Sequence, residues 1–277
     1  QHEDLPYCIG EFVWTGFDYL GEPTPYYTDW PSHSSLFGII DLAGLPKDRY
    51  YLYRSHWNKD EETLHILPHW TWSGREGEVT PVFVYTNYPS AELFINGKSQ
   101  GVRTKDLSVT VHNSGDSLSV ANLKRQQRYR LMWMDTVYEP GTVKVVAYDA
   151  EGNAVAQKEI HTAGKPHHIE LEADRTAIKA DGKDLSFITV KVVDKDGNLC
   201  PMADNEIIFK VKGAGSYCAG ANGDPVSLES FQEPHMHVFS GMMTAIVSSS
   251  EEPGEIILEA SSKGLKKGVI VIRTQRE

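Results

Sequence analysis

The chain has 277 residues, 40% of them hydrophobic and 23% charged, with 23 Gly and 14 Pro. This is the composition of a folded protein of about two domains, and it excludes low-complexity, collagen-like and coiled-coil architectures. The 27 basic against 38 acidic residues leave a net charge of -11 with no clustered basic face, which speaks against nucleic acid as a partner, and no run approaches the ~18 apolar residues that a membrane-spanning helix requires.

Residues 1–57 hold 13 of the 28 aromatic side chains and carry 3 basic against 8 acidic residues, a net charge of -5. The apolar run 9–14 predicts an extended strand, followed by a loop rich in Gly, Pro and Tyr to about Gly38. Pro46 suits the first turn of a helix running to Trp57. Tyr50, Tyr53 and Trp57 form one stripe on it, while the stripe of Leu45, Leu52 and His56 is interrupted by Arg49. One strand, one loop and one helix cannot bury both faces of the strand alone, so residues 1–57 read as a piece of a larger α/β body. The chain opens on Gln1 with no signal-peptide pattern, which leaves room for a removed leader or a larger upstream body.

From residue 62 onward the pattern changes to short alternating runs bounded by turn residues. Half-buried strands are expected at 64–72, 79–86, 91–95, 98–103, 130–134, 142–148 and 154–161. Asn96-Gly97 is a hairpin signal, because both central positions of a type I′ turn need positive φ. The basic run of Lys124, Arg125, Arg128 and Arg130 reads as a solvated strand-and-turn face. After a Gly-Lys-Pro linker at 164–166, a second series is expected at 169–173, 186–193, 207–211, 237–247, 255–260 and 269–273, punctuated by Asp196-Gly197-Asn198, Asn222-Gly223-Asp224-Pro225 and Pro253-Gly254. Each series has the size of an immunoglobulin-like sandwich. The fold class is therefore mainly β: two immunoglobulin-like β-sandwiches, 58–163 and 164–277, preceded by the strand-loop-helix of 1–57.

Cys8, Cys200 and Cys218 are too few and too scattered for a metal motif or a disulfide scaffold. They read as free, partly buried thiols, with a Cys200–Cys218 pair as the alternative in an oxidising compartment. His167-His168 and the alternating His235 and His237 lack a third ligand, and the Asp-Gly turns lack the acidic residue that closes a calcium loop. No metal and no cofactor are expected. Gly10-Glu11-Phe12-Val13-Trp14-Thr15-Gly16-Phe17-Asp18-Tyr19 fits a sugar platform, a Trp at a strand end followed by a loop of Tyr, Asp and Glu. The residues alone leave that reading level with a plain aromatic core.

The stretch GEFVWTGFDYLGEPTPY at 10–26, with FGIIDLAGLPKDRYYLYRSHW from Phe37, resembles the last strand, loop and helix of the catalytic barrel in family 2 glycoside hydrolases, the β-galactosidase and β-glucuronidase family. AELFINGKSQG at 91–101 resembles the immunoglobulin-like domain that follows that barrel in many bacterial members, and ANGDPVSLESFQ at 221–232 a further C-terminal sandwich. The resemblance implies that 1–57 is the end of a (β/α)8 barrel and that the chain is the C-terminal part of a retaining hydrolase. Two carboxyl groups about 5 to 5.5 Å apart perform that reaction, and in this family they lie on earlier barrel strands, upstream of Gln1. No catalytic residue is therefore assigned in this chain, and the fragment alone is expected to be inert. The resemblance casts Trp14 as the floor of the sugar subsite, with Asp18 and Glu22 as polar neighbours on the same loop.

Glucuronidases of the family carry an Asn and a Lys just ahead of the Gly in the segment matching Phe37-Gly38-Ile39. This chain has Ser35-Leu36-Phe37-Gly38 there, which implies a neutral sugar, with galactoside favoured by the family. The expected partner is thus a β-galactoside or related glycan, met through the full-length enzyme. A bacterial periplasmic or secreted location is the family expectation. The rival reading is a non-catalytic carbohydrate-binding or adhesion module presenting Trp70, Trp72 or Trp133, against the expectation that these rings fill the sandwich cores.

Overall fold

The computed structural model describes residues 3–109 and 118–276, with the backbone alone described at 118–123. By contact density the chain forms two compact units: Pro46–Thr162 together with the residues before Thr15, and Ala163–Glu277 together with Thr15–Leu45.

The first unit starts from helix α1 (Asp48–Trp57) and strands β1 (Leu64–Leu67), β2 (Val82–Thr86), β3 (Ser90–Ile95) and β4 (Lys98–Thr104). Helix α2 (Leu118–Tyr129) and strands β5 (Leu131–Trp133), β6 (Thr142–Tyr148) and β7 (Ala154–His161) complete it. The strands form two antiparallel sheets, β1-β2-β5 and β4-β3-β6-β7. Alternation along β3 and β6 sends Ala91, Leu93, Ile95, Val143, Val145 and Ala147 inward to meet Leu64, Ile66, Val82, Val84, Leu131, Trp70 and Trp133. The β3–β4 hairpin closes over Asn96 and Gly97 at φ 49° and 79°, with Ile95 facing Lys98, which is the expected type I′ turn.

Three expectations need correction in this unit. Of the basic run, Lys124, Arg125 and Arg128 lie on helix α2 and Arg130 directly after it, not on a strand-and-turn face. Its Arg128 is held by Asp4 at 2.6 Å and Glu3 at 3.2 Å, acidic partners more than a hundred residues away in sequence. The expected strand 64–72 stops at Leu67. Residues 9–14 form no β-ladder, and Ile9, Phe12 and Trp14 are exposed; an extended segment becomes a sheet strand only when a neighbouring strand ladders with it, and no strand among the described residues does so.

The second unit contains β8 (His168–Ala173), β9 (Ala177–Lys179), β10 (Leu185–Val193), β11 (Glu206–Gly213), β12 (Gly215–Ala221), β13 (His235–His237), β14 (Met242–Ser249), β15 (Gly254–Ser261) and β16 (Gly268–Gln275). Sheet β12-β14-β10-β8 faces sheet β13-β11-β15-β16-β9 across a core of Ile188, Val190, Val192, Ile207, Phe209, Met243, Ala245, Val247, Ile256, Leu258 and Ile272. Strands β9 and β12 join the expected set, and the expected run 237–247 divides into β13 and β14 around Ser240 and Gly241, both at positive φ. The three cysteine thiols are free, with Cys200 buried. No helix among the described residues is long and apolar enough to cross a membrane.

Candidate functional site

The loop 15–45 is held in shape by its own backbone. A parallel bridge joins Phe17 to Ile40 and an antiparallel bridge joins Leu20 to Ser34. Between them, the Asp18 amide donates to the Ile40 carbonyl at 2.9 Å while the buried Asp18 carboxylate accepts the Gly38 N–H at 2.8 Å. A Cβ on Gly38 would lie 2.2 Å from the Asp18 amide nitrogen, so glycine is what lets the two arms of the loop touch. Buried carboxylates persist where backbone donors replace water, and Asp18 meets that requirement through the loop it closes.

The same loop buries Ser34 and Ser35. The Ser35 hydroxyl accepts the Tyr19 N–H at 3.1 Å, the Ser35 N–H donates to the Tyr19 carbonyl at 2.8 Å, and the Ser34 hydroxyl donates to that carbonyl at 3.2 Å. Glu22 stands on the exposed side at φ 49° and accepts a hydrogen bond from the Tyr19 hydroxyl. Around it the loop exposes Phe17, Tyr26, Tyr27 and Trp30. Asp18 and Glu22 thus belong to one loop, but Asp18 points into its closure while Glu22 lies at its surface. Trp14 precedes the loop, with 72% of its surface exposed. Rings set beside carboxylates can stack on the C–H face of a pyranose while the acids take its hydroxyls.

Other candidates resolve into structural roles. Trp70 and Trp133 are 1% and 0% exposed, and their indole N–H groups donate to the Glu139 and Gly101 carbonyls at 2.9 Å each. Neither can serve as a surface platform, and Trp72 is half-buried. His237 donates its backbone N–H and offers Nδ1 to Glu229, at 3.1 and 2.8 Å, and the bond to Glu229 raises the imidazole pKa above its ordinary value. Among the described residues no three His, Cys, Asp or Glu side chains converge as a ligand set.

Sequence reasoning missed the residues that anchor the loop. Asp41 accepts the Ala43 and Leu45 N–H groups on Oδ1, at 2.9 and 2.8 Å. His33 donates its N–H to the Pro225 carbonyl at 3.2 Å while accepting the Gly21 N–H at 2.7 Å. Asn222-Gly223-Asp224-Pro225 signals a turn, but nothing local in it points to residues 33 and 41.

Comparison with known proteins gives the class first. Residues 169–271 match the model described as "Glycoside hydrolase family 2 C-terminal domain 5", and residues 77–156 match one described as "Domain of unknown function (DUF4982)". The second sandwich thus matches a C-terminal module of glycoside hydrolase family 2, and the first a domain to which no function is attached. The chain is 46% identical, over 98% of its length, to the β-galactosidase BoGH2A of Bacteroides ovatus, of which it spans 29%, and 24% identical over 86% of its length to a β-glucuronidase of Formosa agariphila, of which it spans 22%. The crystal structure of a β-glycosidase from Bacteroides vulgatus superposes with a TM-score of 0.82 at 34% identity, over 97% of this chain and 31% of that one. The chain belongs to glycoside hydrolase family 2, as a C-terminal portion of the family's architecture.

Proposed function

We propose that this chain is the C-terminal part of a retaining glycosidase that acts on β-galactosides or related neutral glycosides. Residues 1–57 close the catalytic barrel, and the sandwiches at 58–163 and 164–277 brace it. The two carboxyl groups that retention requires, about 5 to 5.5 Å apart, lie on barrel strands outside this chain, which by itself is inert. Trp14 supplies the ring face under the sugar and Glu22 a carboxylate for a hydroxyl, while Asp18 contributes by holding the loop closed. The exposed rings of Phe17, Tyr27 and Trp30 on the loop support this reading, since exposed aromatic surface of that kind marks a binding face.

The observation that carries the neutral-sugar assignment is the filling of the turn ahead of Gly38. Ser35, Leu36 and Phe37, which stand just ahead of Gly38, include no cation that would bind a carboxylate on the sugar, and Ser35 is fully buried and consumed by the Tyr19 backbone. The deficit of 3 basic against 8 acidic residues over 1–57 repels such a group further. The test uses the longer polypeptide that includes this chain, assayed on nitrophenyl β-galactoside and nitrophenyl β-glucuronide. The galactoside is expected to be favoured at least 100-fold in kcat/KM, and a preference for the glucuronide would overturn the assignment.

A further inference from the structure

We infer that the 222–225 turn of the second sandwich is a clamp that sets the conformation of loop 15–45, with Gly223 as its clearance and Asp41 and His33 as its two grips. Gly223 has an ordinary φ, so its backbone does not demand glycine. What demands it is space: a Cβ there would lie 2.2 Å from Asp41 Oδ2 and 2.8 Å from Asp41 Cγ, closer than the 3.0 Å that real Cβ atoms respect. The Asp41 carboxylate cannot simply swing away, because its Oδ1 accepts the Ala43 and Leu45 N–H groups and its backbone N–H donates to the Leu45 carbonyl at 2.9 Å.

The second grip passes through the backbone. The Pro225 carbonyl accepts the His33 N–H and the His33 carbonyl accepts the Gly21 N–H, so the turn is two hydrogen bonds from the residue beside Glu22. The turn itself is rigid. Asn222 is buried, its Nδ2 donating to the His237 carbonyl at 2.8 Å and its Oδ1 accepting the Asp224 N–H at 3.2 Å. A loop whose exposed side is rich in aromatic rings cannot hold its shape by burying them. Beyond the bonds within the loop it is held from the sandwich side, and Gly223, Asp41 and His33 are positioning residues for it.

The consequence for sugar binding rests on the reading of this loop as part of a glycoside site, whereas the clamp itself does not, and two measurements separate them. In this chain, Gly223→Val is expected to speed amide exchange of Gly21, His33 and Gly38 at least 10-fold, with the β10 and β14 amides changed less than twofold. Asp41→Ala removes both Oδ2 and Cγ and leaves its Cβ 3.2 Å from the atom added at 223, so adding it to Gly223→Val is expected to bring loop protection back to that of Asp41→Ala alone. Should the valine variant fail to fold, Gly223→Ala with the same partner carries the test. Equal acceleration in loop and strands, unchanged loop amides, or a double variant less protected in the loop than Asp41→Ala alone would each overturn the clamp. In the longer polypeptide, Gly223→Val is expected to raise KM for nitrophenyl β-galactoside at least fivefold with kcat changed less than twofold. Normal clamp behaviour by exchange without that KM change would refute the link to the sugar site alone.

Discussion

Asp194 lends itself to a quantitative test. It is 2% exposed, in the turn that follows β10. Its Oδ1 accepts the Asp196 and Asn198 amides at 2.9 Å each, and its Oδ2 accepts the Gly164 amide at 2.7 Å and the Asn198 side-chain amide at 3.1 Å. Burial pushes the carboxyl pKa up, but the donors from Gly164, Asn198 and Asp196 outweigh it and hold it at about 2, against an ordinary 3.8. At about 1.36 kcal/mol per pH unit, the difference contributes about 2 to 3 kcal/mol of stability. Because the folded value lies below the unfolded one, this contribution is complete above about pH 3.8 and is lost as the pH falls through about 2. Asp194→Asn removes the charge and turns an NH2 toward groups that are all donors. Protection of the β10 and β14 amides, followed by hydrogen exchange and mass spectrometry, is expected to fall roughly 30- to 150-fold at pH 7. The gap between variant and parent is expected to shrink several-fold by pH 2. Equal protection at pH 7, or a gap that persists undiminished at pH 2, would refute the reasoning.

Four further outcomes follow from the same geometry. Trp133→Ala, which empties a fully buried site and orphans the Gly101 carbonyl, is expected to cost about 3 to 5 kcal/mol in urea unfolding of the first sandwich monitored by circular dichroism. Gly213→Ala combines a φ of 95° with a Cβ placed 1.9 Å from the Glu255 carbonyl oxygen, and a loss of at least about 2 kcal/mol is expected by the same assay. The His237 midpoint, read by NMR titration, is expected above 6.5 and to return toward it in Glu229→Gln; having a raised folded value, this pair stabilises fully below pH 6.5 and loses its effect as the pH rises through the folded midpoint. Isothermal titration of the chain with galactose and lactose is expected to give no saturable heat, and clear binding would defeat the view that the subsite needs the rest of the barrel.

The strands were the most legible part of the chain. Residues 142–148 and 154–161, expected from alternation alone, are β6 and β7 residue for residue. The Asn96-Gly97 turn falls where positive φ demands it. These features are local: a period of two and a turn dipeptide are written into neighbouring residues. The core indoles of Trp70 and Trp133 were legible for the same reason, each lying in or beside an alternating run. The family was legible because three motifs, in the first loop, the β3–β4 hairpin and the 221–232 segment, stand in one order along the chain.

What escaped was decided by contacts between residues distant in sequence. Strand β9 has three residues and exists because β16 offers it a parallel edge, and β12, whose residues other than Tyr217 are small, is paired with β14. Helix α2 carries Arg128, whose counter-charges, Glu3 and Asp4, sit more than a hundred residues earlier in the sequence. On the candidate loop, the residue types at Trp14, Asp18 and Glu22 were readable, but not that Asp18 is turned inward to hold Gly38 while Glu22 stays at the surface. Nor could the sequence reveal that Gly223 owes its identity to an aspartate 182 positions earlier, at 41. Periodicity records which way a side chain faces along its own strand; clearance and hydrogen-bond closure depend on what the folded chain brings to within 3 Å or so of it, and that is set only when the elements pack.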